Sequence, residues 1–201
     1  MCSDTSPRLS VLIPCYGAAP YIGRCLKSLV PLAGAGVEIV MADDCSPDDT
    51  FPAIISTLDG EASLLKPVTR VLRNQHNIGV ADTRNRLLAE ARGELLLFVD
   101  SDDYIDAYAV INGLETAERR RADITAAPYF TVKGSKISKI NIPVSYDLNR
   151  LPIHVKSFSL CNKLIRRELL TANGLRFFNG INRWEDLGLM SRLYALSPHI
   201  V

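Results

Sequence analysis

A regular alternation of short apolar runs with helical patterns constrains this chain more than any other feature of its sequence. The apolar runs, which have the length of β-strands, occupy residues 9–13, 37–42, 68–73 and 95–99. The helical patterns, in which apolar residues recur three or four positions apart, follow at 21–30, 51–58, 80–93 and 104–121. Repeated strand–helix units of this kind predict parallel βαβ connections and a doubly wound α/β sheet.

Local signals indicate where these elements begin and end. We expect the first strand to stop at Pro14, Ser46 to cap the second helix and Gly93 to close the third. The fourth run, LLLFV, is almost continuously apolar, which is typical of a strand that is covered on both faces. A further short strand is predicted within 122–128, after the fourth helix.

Polar residues follow each of the four predicted strands. The strand ends carry Pro14-Cys15-Tyr16, Asp43-Asp44, Arg73-Asn74 and Asp100-Ser101-Asp102. In an open parallel sheet the carboxyl ends of the strands meet at one edge, and ligands bind there. The sequence therefore predicts a ligand site at this edge.

Composition excludes several classes of function. The chain has 23 Lys and Arg against 22 Asp and Glu, so no strong overall field selects nucleic acid or an anionic membrane. Its 5 cysteines include no CxxC pair, which argues against a disulfide framework or a zinc ribbon and favours the reducing cytoplasm. We find no signal-peptide pattern near residue 1 and no apolar stretch long enough to cross a membrane.

The acidic cluster after the fourth strand has two interpretations. Asp100, Asp102 and Asp103 would repel one another unless a positive partner lies nearby. They could cap the helix that follows, or Asp100 and Asp102 could bind Mg²⁺ or Mn²⁺, which prefer oxygen ligands and bridge to diphosphates. Because the glycine-rich phosphate loops GxGxxG and GxxxxGK[ST] are absent, an anionic cofactor here would need a cation.

Three other positions could contribute to a site. Asp43 or Asp44 could accept a hydrogen bond from a nucleotide base or ribose, whereas Asp48 and Asp49 are better explained by a turn and a helix cap. Arg84 could reach a diphosphate or be an ordinary exposed helix residue. The WED segment, residues 184–186, could supply a general base or be a helix start against which Trp184 packs.

The pattern changes after residue 128. A lysine-studded alternating run around Gly134 predicts a hairpin or an edge segment with solvated lysines, and helices are expected at 166–174 and 184–196. The three histidines share no metal-ligand spacing. The sequence ends at residues 198–201 on what could be the start of another strand, so we expect a fragment of a longer chain.

Together these motifs resemble the family 2 glycosyltransferases of the GT-A fold. The matching stretches are LSVLIPCYGAAPYIGRCLKSL, VEIVMADDCSPDDT, NIGVADTRNRLLAEARGELLLFVDSDDYI and CNKLIRRELLTANGLRFFNGINRWEDLGLMSRL. The resemblance covers nearly the whole chain. It implies one GT-A domain over 1–201, a three-layer α/β/α sandwich with a mostly parallel sheet. Residues 1–127 would form a Rossmann-like nucleotide-sugar-binding half, and 128–201 a truncated acceptor-side half.

The resemblance assigns donor-binding roles by position. The segment Pro14–Tyr16 matches the first donor-binding loop. Asp43 and Asp44 match the aspartate position that contacts the nucleotide base. Arg84 matches a donor-side arginine that follows the third strand. A UDP-sugar is the expected donor, with GDP- and dTDP-sugars still open.

The same resemblance assigns the reacting groups. Asp100, Ser101 and Asp102 match the DXD motif, in which Asp100 lies near ribose or metal, Ser101 contacts the donor and Asp102 is the main ligand of Mn²⁺ or Mg²⁺. Asp186 matches the catalytic base of the ED motif, and Glu185 supports it. The implied reaction is one inverting displacement, in which the metal offsets the charge of the leaving diphosphate. The expected acceptor is a glycan or a lipid-linked sugar, reached at the cytoplasmic face of a membrane.

Two departures from the family pattern and two alternatives accompany this expectation. Gly17 stands where the family often has Asn, and Cys45 stands where the DDGS-like turn usually has Gly. A sugar nucleotidyltransferase would share the fold, but it typically carries a glycine-rich basic loop where this chain has PCYGAAPY. The chain could also be a non-catalytic nucleotide-binding fragment of a larger transferase.

Overall fold

The computed structural model describes residues 6–133, 136–140 and 158–201. The strands are β1 Leu9–Cys15, β2 Val37–Asp43, β3 Thr69–Arg73, β4 Leu95–Phe98, β5 Ile124–Ala126, β6 Tyr129–Lys133, β7 Lys136–Ile140 and β8 Lys163–Arg166. The α-helices are α1 Ile22–Leu29, α2 Thr50–Asp59, α3 Val80–Glu90, α4 Ala107–Arg120, α5 Arg167–Thr171 and α6 Glu185–Ala195. Short 3₁₀ turns span Val30–Leu32 and Ser63–Val68.

Within the described ranges the central sheet has six strands, in the order β3-β2-β1-β4-β8-β5. The first four strands in the chain pair in parallel, whereas β8 is antiparallel to both β4 and β5. This arrangement confirms the predicted mixed α/β fold with a mostly parallel sheet. The alternation of strands and helices did not predict β8, which inserts between β4 and β5.

Both faces of the sheet are covered, which explains why its central strands are apolar at nearly every position. Alternate β1 residues Leu9, Val11 and Ile13 pack in one core with α1, α2 and α4. Leu12 points to the opposite core, where Phe98 packs with residues of α3 and α6. The result is the expected three-layer α/β/α sandwich.

The first strand continues through Pro14 to Cys15, so the predicted stop at the proline was wrong. The Leu12 carbonyl accepts a hydrogen bond from Val99 N at 3.0 Å on the β4 side. Alternate residues of a strand direct their backbone groups to the same neighbour, so Pro14 also faces that side. The register between β1 and β4 ends at Leu12 and Phe98, so no ladder bond requires an N–H at position 14.

Gly93 does not close α3, because this helix already ends at Glu90. A Cβ at position 93 would lie 2.5 Å from Ser10 N, so the glycine allows the backbone to pass directly against β1. The next helix begins at Ala107, later than predicted, and Asp106 caps it by accepting from the backbone of residues 108 and 109.

After residue 128, the described residues agree with most of what the sequence predicted. β6 and β7 form the expected hairpin, and Lys136 and Lys139 on it are exposed. Ile200 forms a parallel bridge with Ile124, as a strand-like chain end would. Gly134 and residues 141–157 of the predicted acceptor-side half lie outside the described residues. Within the described ranges no helix is long and apolar enough to cross a bilayer.

Candidate active site

A cleft of about 390 Å³ opens at the carboxyl ends of β1, β2 and β4. It is lined by Pro14, Cys15, Tyr16, Asp44, Asn77, Gly79, Val80, Thr83, Asp100, Ser101, Asp102 and Asn182. The predicted ligand edge of the sheet therefore carries a concave site, and its volume lies in the range of small-molecule sites.

The loop after β1 forms one wall of this cleft and is tied to the turn after β2. Gly17 N donates to Ser46 Oγ at 3.2 Å, and Ala18 N donates to Thr50 Oγ1 at 2.7 Å. Gly17 has a φ of 62°, a backbone conformation that glycine adopts without strain. The predicted capping role of Ser46 was wrong, because α2 begins four residues later and Asp48 accepts from Thr50 N at 3.1 Å instead.

The two aspartates at the end of β2 have different surroundings. Asp43 is fully buried. Its carboxylate accepts hydrogen bonds from Ser46 N and, at 3.1 Å, from Arg73 Nε. It does not line the cleft. Adjacent strand residues point in opposite directions, so Asp43 supports the turn after β2 and only Asp44 faces the site.

Asp44 holds the loop between β3 and α3 against the cleft. Its carboxylate accepts from Asn74 Nδ2 at 2.7 Å, from Ile78 N at 2.9 Å and from Gly79 N at 2.9 Å. Gly79 has a φ of 88°, and a Cβ there would lie 2.4 Å from Asn182 Oδ1. The close contact with Asn182 brings the segment before α6 to the cleft, a position that sequence reasoning missed.

The acidic segment after β4 also lines the cleft. The Asp100 side chain is 45% exposed, Asp102 is exposed and Ser101 is buried. Asp103 N donates to Asp100 O at 3.0 Å, and burial, reinforced by the charges of Asp100 and Asp102, raises the pKa of the Asp103 carboxyl. The capping interpretation of this cluster was wrong, since the α4 cap is Asp106.

The two aspartates of the cluster that line the cleft, Asp100 and Asp102, fit a hard divalent cation. Both residues line the same cavity, and Mg²⁺ and Mn²⁺ are commonly held by one or two carboxylates together with substrate phosphates and water. No group of three or more His, Cys, Asp or Glu side chains is arranged around a common metal position in the part of the chain that the structure describes. With two protein carboxylates, the remaining positions around such an ion would be filled by substrate phosphates and water.

A buried arginine joins the acidic segment to the start of α6. Arg84 is 4% exposed, and its Nη2 lies 2.7 Å from Asp100 Oδ1. Its Nη1 lies 2.8 Å from Glu185 Oε1 and 2.6 Å from Asp186 Oδ1. The alternative of an exposed helix arginine was therefore wrong. The structure thus brings together α3, the acidic segment after β4 and the start of α6.

Asp186 has the environment of a carboxyl that can gain a proton. Burial raises its pKa, and the nearby charges of Glu185 and Asp100 act in the same direction. The Arg84 guanidinium acts against them and favours the carboxylate. Trp184, which precedes this pair, is 79% exposed with a φ of 62°. The alternative interpretation of WED as a helix start is correct in that α6 begins at Glu185, but its packing of Trp184 against the helix was wrong.

Lys163, at the first position of β8, is a residue near the site that sequence reasoning missed. It is 2% exposed, and its Nζ donates to Ser159 O at 2.5 Å and to Asn162 Oδ1 at 2.9 Å. Burial lowers its pKa to about 8, although the charges of Cys161 and Asp186 act in the opposite direction. A lysine next to a polar residue in an unpredicted strand gives no sequence signal of burial.

Comparison with known proteins identifies relatives of this chain. Glycosyltransferase GlyG of Streptococcus pneumoniae is 26% identical over 98% of this chain and 68% of its own length. The poly(ribitol-phosphate) beta-N-acetylglucosaminyltransferase TarS of Staphylococcus aureus is 29% identical over 96% of this chain and 33% of its own length. The chain thus spans about one third to two thirds of these relatives.

Solved structures show the same fold. The crystal structure of S. aureus TarS 1–349 in complex with UDP superposes with a TM-score of 0.82 at 27% identity, covering 96% of this chain and 56% of that one. The mannosyltransferase PcManGT of Pyrobaculum calidifontis, solved with GDP-Man and Mn²⁺, superposes with a TM-score of 0.72 at 19% identity, covering 98% of this chain and 55% of that one. The sequence model of glycosyl transferase family 2 matches residues 10–173. With this match and the GT-A fold of its structural neighbours, the chain belongs to glycosyl transferase family 2.

Proposed function

We propose that this chain is the catalytic GT-A core of an inverting, metal-dependent glycosyltransferase. It transfers a sugar from a nucleotide-diphosphate donor, a UDP-sugar, to a glycan or lipid-linked acceptor during polysaccharide synthesis. The observation that carries this proposal is that Asp100, which lines the cleft together with Asp102, is joined through Arg84 to the Glu185–Asp186 pair.

The donor would occupy the cleft between the β1 loop and the acidic segment. We assign Pro14, Tyr16 and Ser101 to donor contacts because they line that space. Asp44 would contact the base or ribose at the cleft edge, whereas buried Asp43 would act through the turn that it supports. The TarS structures with UDP and with UDP-GlcNAc support a uridine donor.

Asp100 and Asp102 would hold Mg²⁺ or Mn²⁺ from one side of the cleft. When bound, the cation supplies positive charge to the diphosphate and so stabilises it as a leaving group. Asp100 Oδ1 already contacts Arg84, which fixes the orientation of that carboxylate. Asp102 is exposed and free to turn toward the cavity.

Asp186 would act as the base. It accepts the proton of the acceptor hydroxyl while that oxygen bonds to the anomeric carbon and the bond from this carbon to the diphosphate breaks. Attack on the face opposite the leaving group inverts the configuration. The burial that raises the pKa of Asp186 makes it a better proton acceptor, and Glu185 shares its contact with Arg84.

The two halves of the chain would have different binding roles. We assign donor binding chiefly to residues 1–127 and acceptor binding to 128–201, since α6 supplies Glu185 and Asp186 from the second half. Four cysteines in the described residues are free thiols, which supports a reducing cytoplasmic setting. Contact with the inner membrane face would give access to a lipid-linked acceptor.

Calorimetry and turnover together test this proposal. Nucleoside diphosphates are titrated with and without Mn²⁺, and sugar transfer or donor hydrolysis is followed for wild type, Asp102→Ala, Asp186→Asn and the control Asp103→Asn. We expect UDP to bind best with Mn²⁺ and Asp102→Ala to lose that dependence. Asp186→Asn should keep UDP affinity but lose about 10²–10⁴-fold in turnover.

Several outcomes would contradict parts of the proposal. Full turnover by Asp102→Ala would reject the metal ligand, and full turnover by Asp186→Asn would reject the base. UDP binding without transfer or hydrolysis by the wild type would favour a non-catalytic nucleotide-binding fragment. Release of pyrophosphate from a nucleoside triphosphate would favour a nucleotidyltransferase.

A further inference from the structure

The contacts of Arg84 assign it a role different from the diphosphate contact that the family resemblance implies. The side chain leaves α3 and is almost completely buried, with its guanidinium 5.6 Å from the centroid of the Phe177 ring. It does not line the cleft. Both of its terminal nitrogens already contact carboxylates of this chain.

These contacts span two parts of the site that are far apart in sequence. Nη2 contacts Asp100, which follows β4, and Nη1 contacts Glu185 and Asp186, which begin α6. A guanidinium presents its donors in a rigid planar fork, so it fixes the directions of the groups that it joins. The Asp100 carboxylate is thereby held in a set orientation to the Asp186 carboxylate.

We propose that Arg84 is a positioning residue that fixes the donor-side carboxylate Asp100 relative to the acid pair Glu185–Asp186, and that it does not bind the donor diphosphate. This inference rests on the proposed transfer reaction for its effect on rate. Without the guanidinium, three carboxylates would face one another across the site, and their repulsion would turn them away from the reacting atoms.

Lysine at position 84 separates the two roles. It keeps the positive charge but replaces the planar fork by one ammonium on a flexible stem, which cannot hold both elements in the same geometry. A lysine still binds phosphate well, so a diphosphate contact would largely survive in Arg84→Lys. A positioning role would not survive.

The experiment compares Arg84→Lys, Arg84→Gln and Arg84→Ala with wild type and with the control Arg92→Lys. Arg92 lies between α3 and β4, is exposed and does not line the cleft. We expect Arg84→Lys to lose about 100-fold in kcat with the donor KM within about threefold, since small misplacements at a reacting centre have effects of this size. Millimolar guanidinium should partly restore kcat in Arg84→Ala, which loss of folded protein would not allow. Arg92→Lys should resemble wild type.

Nucleotide binding gives a readout that does not depend on transfer. We expect UDP, titrated by calorimetry at fixed Mn²⁺, to bind Arg84→Gln and Arg84→Lys with affinities within about threefold of each other, because the guanidinium does not touch the donor. A loss of about tenfold or more in Arg84→Gln alone would assign Arg84 to the diphosphate and overturn the proposal. Near-wild-type kcat in Arg84→Lys would overturn it as well.

The two readouts also separate this proposal from the proposed function. If the wild type neither transfers nor hydrolyses a donor sugar, the proposed function fails, and the comparison of UDP affinities still decides between positioning and diphosphate binding. Urea unfolding of each variant confirms that the folded protein is being compared. If Arg84→Gln does not fold, the kinetics of Arg84→Lys decide the question: a loss in kcat with little change in donor KM supports positioning, and near-wild-type kcat overturns it.

Discussion

Replacing Lys163 by methionine should remove a pH-dependent component of the stability of this protein. The lysine is almost fully buried at the start of β8, and burial lowers its pKa to about 8 from the ordinary value of 10.5. Methionine fills a similar volume but carries no charge, so it removes the buried ionisable group and leaves most of the packing. The comparison of the two proteins isolates the titration of one side chain.

The sign and size of the effect follow from proton binding. Because the pKa is lower in the folded state, the unfolded chain binds more protons at Lys163 between about pH 8 and about pH 10.5. The free energy of unfolding therefore rises with pH in this window. Relative to Lys163→Met, the wild type should gain about 2 kcal/mol between about pH 7 and about pH 9.5.

Urea unfolding at both pH values measures this difference. Lys139→Met is the matched control, because that lysine is exposed on β7 and its loss removes the same charge. If the free energy of unfolding changes with pH by the same amount in wild type and in Lys163→Met, the lowered pKa of Lys163 is refuted. That result would mean that the ammonium is solvated in the folded protein in spite of its burial.

Three further predictions concern stability and thiol chemistry. Gly93→Ala should lower the free energy of unfolding by about 1–3 kcal/mol, because its Cβ would approach the Ser10 backbone; unchanged urea unfolding would contradict this close approach. Asp106→Ala should cost about 1 kcal/mol through loss of the α4 cap, and equal unfolding midpoints in the two proteins would count against that cap. Cys15 and Cys25 should resist alkylation in the native state, because burial raises the pKa of both thiols, that of Cys25 to about 12. Mass spectrometry that shows either thiol modified before unfolding would exclude this protection.

The sequence was sufficient to predict the parallel part of the fold. Apolar runs of strand length followed by helical patterns located β1 to β4 and the helices between them, because burial on both faces of a sheet demands such runs. The pairing of β6 with β7 agrees with the hairpin, one of the two forms predicted for this segment, since alternation is a local signal.

The same signals could not predict β8. Its sequence is KLIR, which begins and ends with a charged residue and is shorter than the runs of the parallel strands. It belongs to the sheet because it pairs with β4 and β5, which are distant in sequence. Such long-range pairing produces no periodic pattern in the local sequence. The burial of Lys163 follows from that pairing and was equally hidden.

At the candidate site, the sequence predicted positions better than contacts. Residues at the carboxyl ends of strands reach a common edge by topology alone, which placed Asp44 and Asp100 at one cleft. Arg84 is separated from Asp100 by 16 residues and from Asp186 by 102. No periodicity relates such separations, so their meeting at one guanidinium depends on how α6 packs against α3.

The contacts between Arg84 and three carboxylates also bear on why a donor would need a metal. The one positive charge of Arg84 cannot neutralise the three carboxylates that it contacts, and Asp102 adds a further negative charge at the cleft. A diphosphate donor is anionic, so it would be repelled from this edge unless a cation lay between it and the aspartates. Arg84 can therefore hold the carboxylates in place, but its single charge would not offset theirs toward the proposed donor. The charge of these residues supports a donor that binds together with its cation.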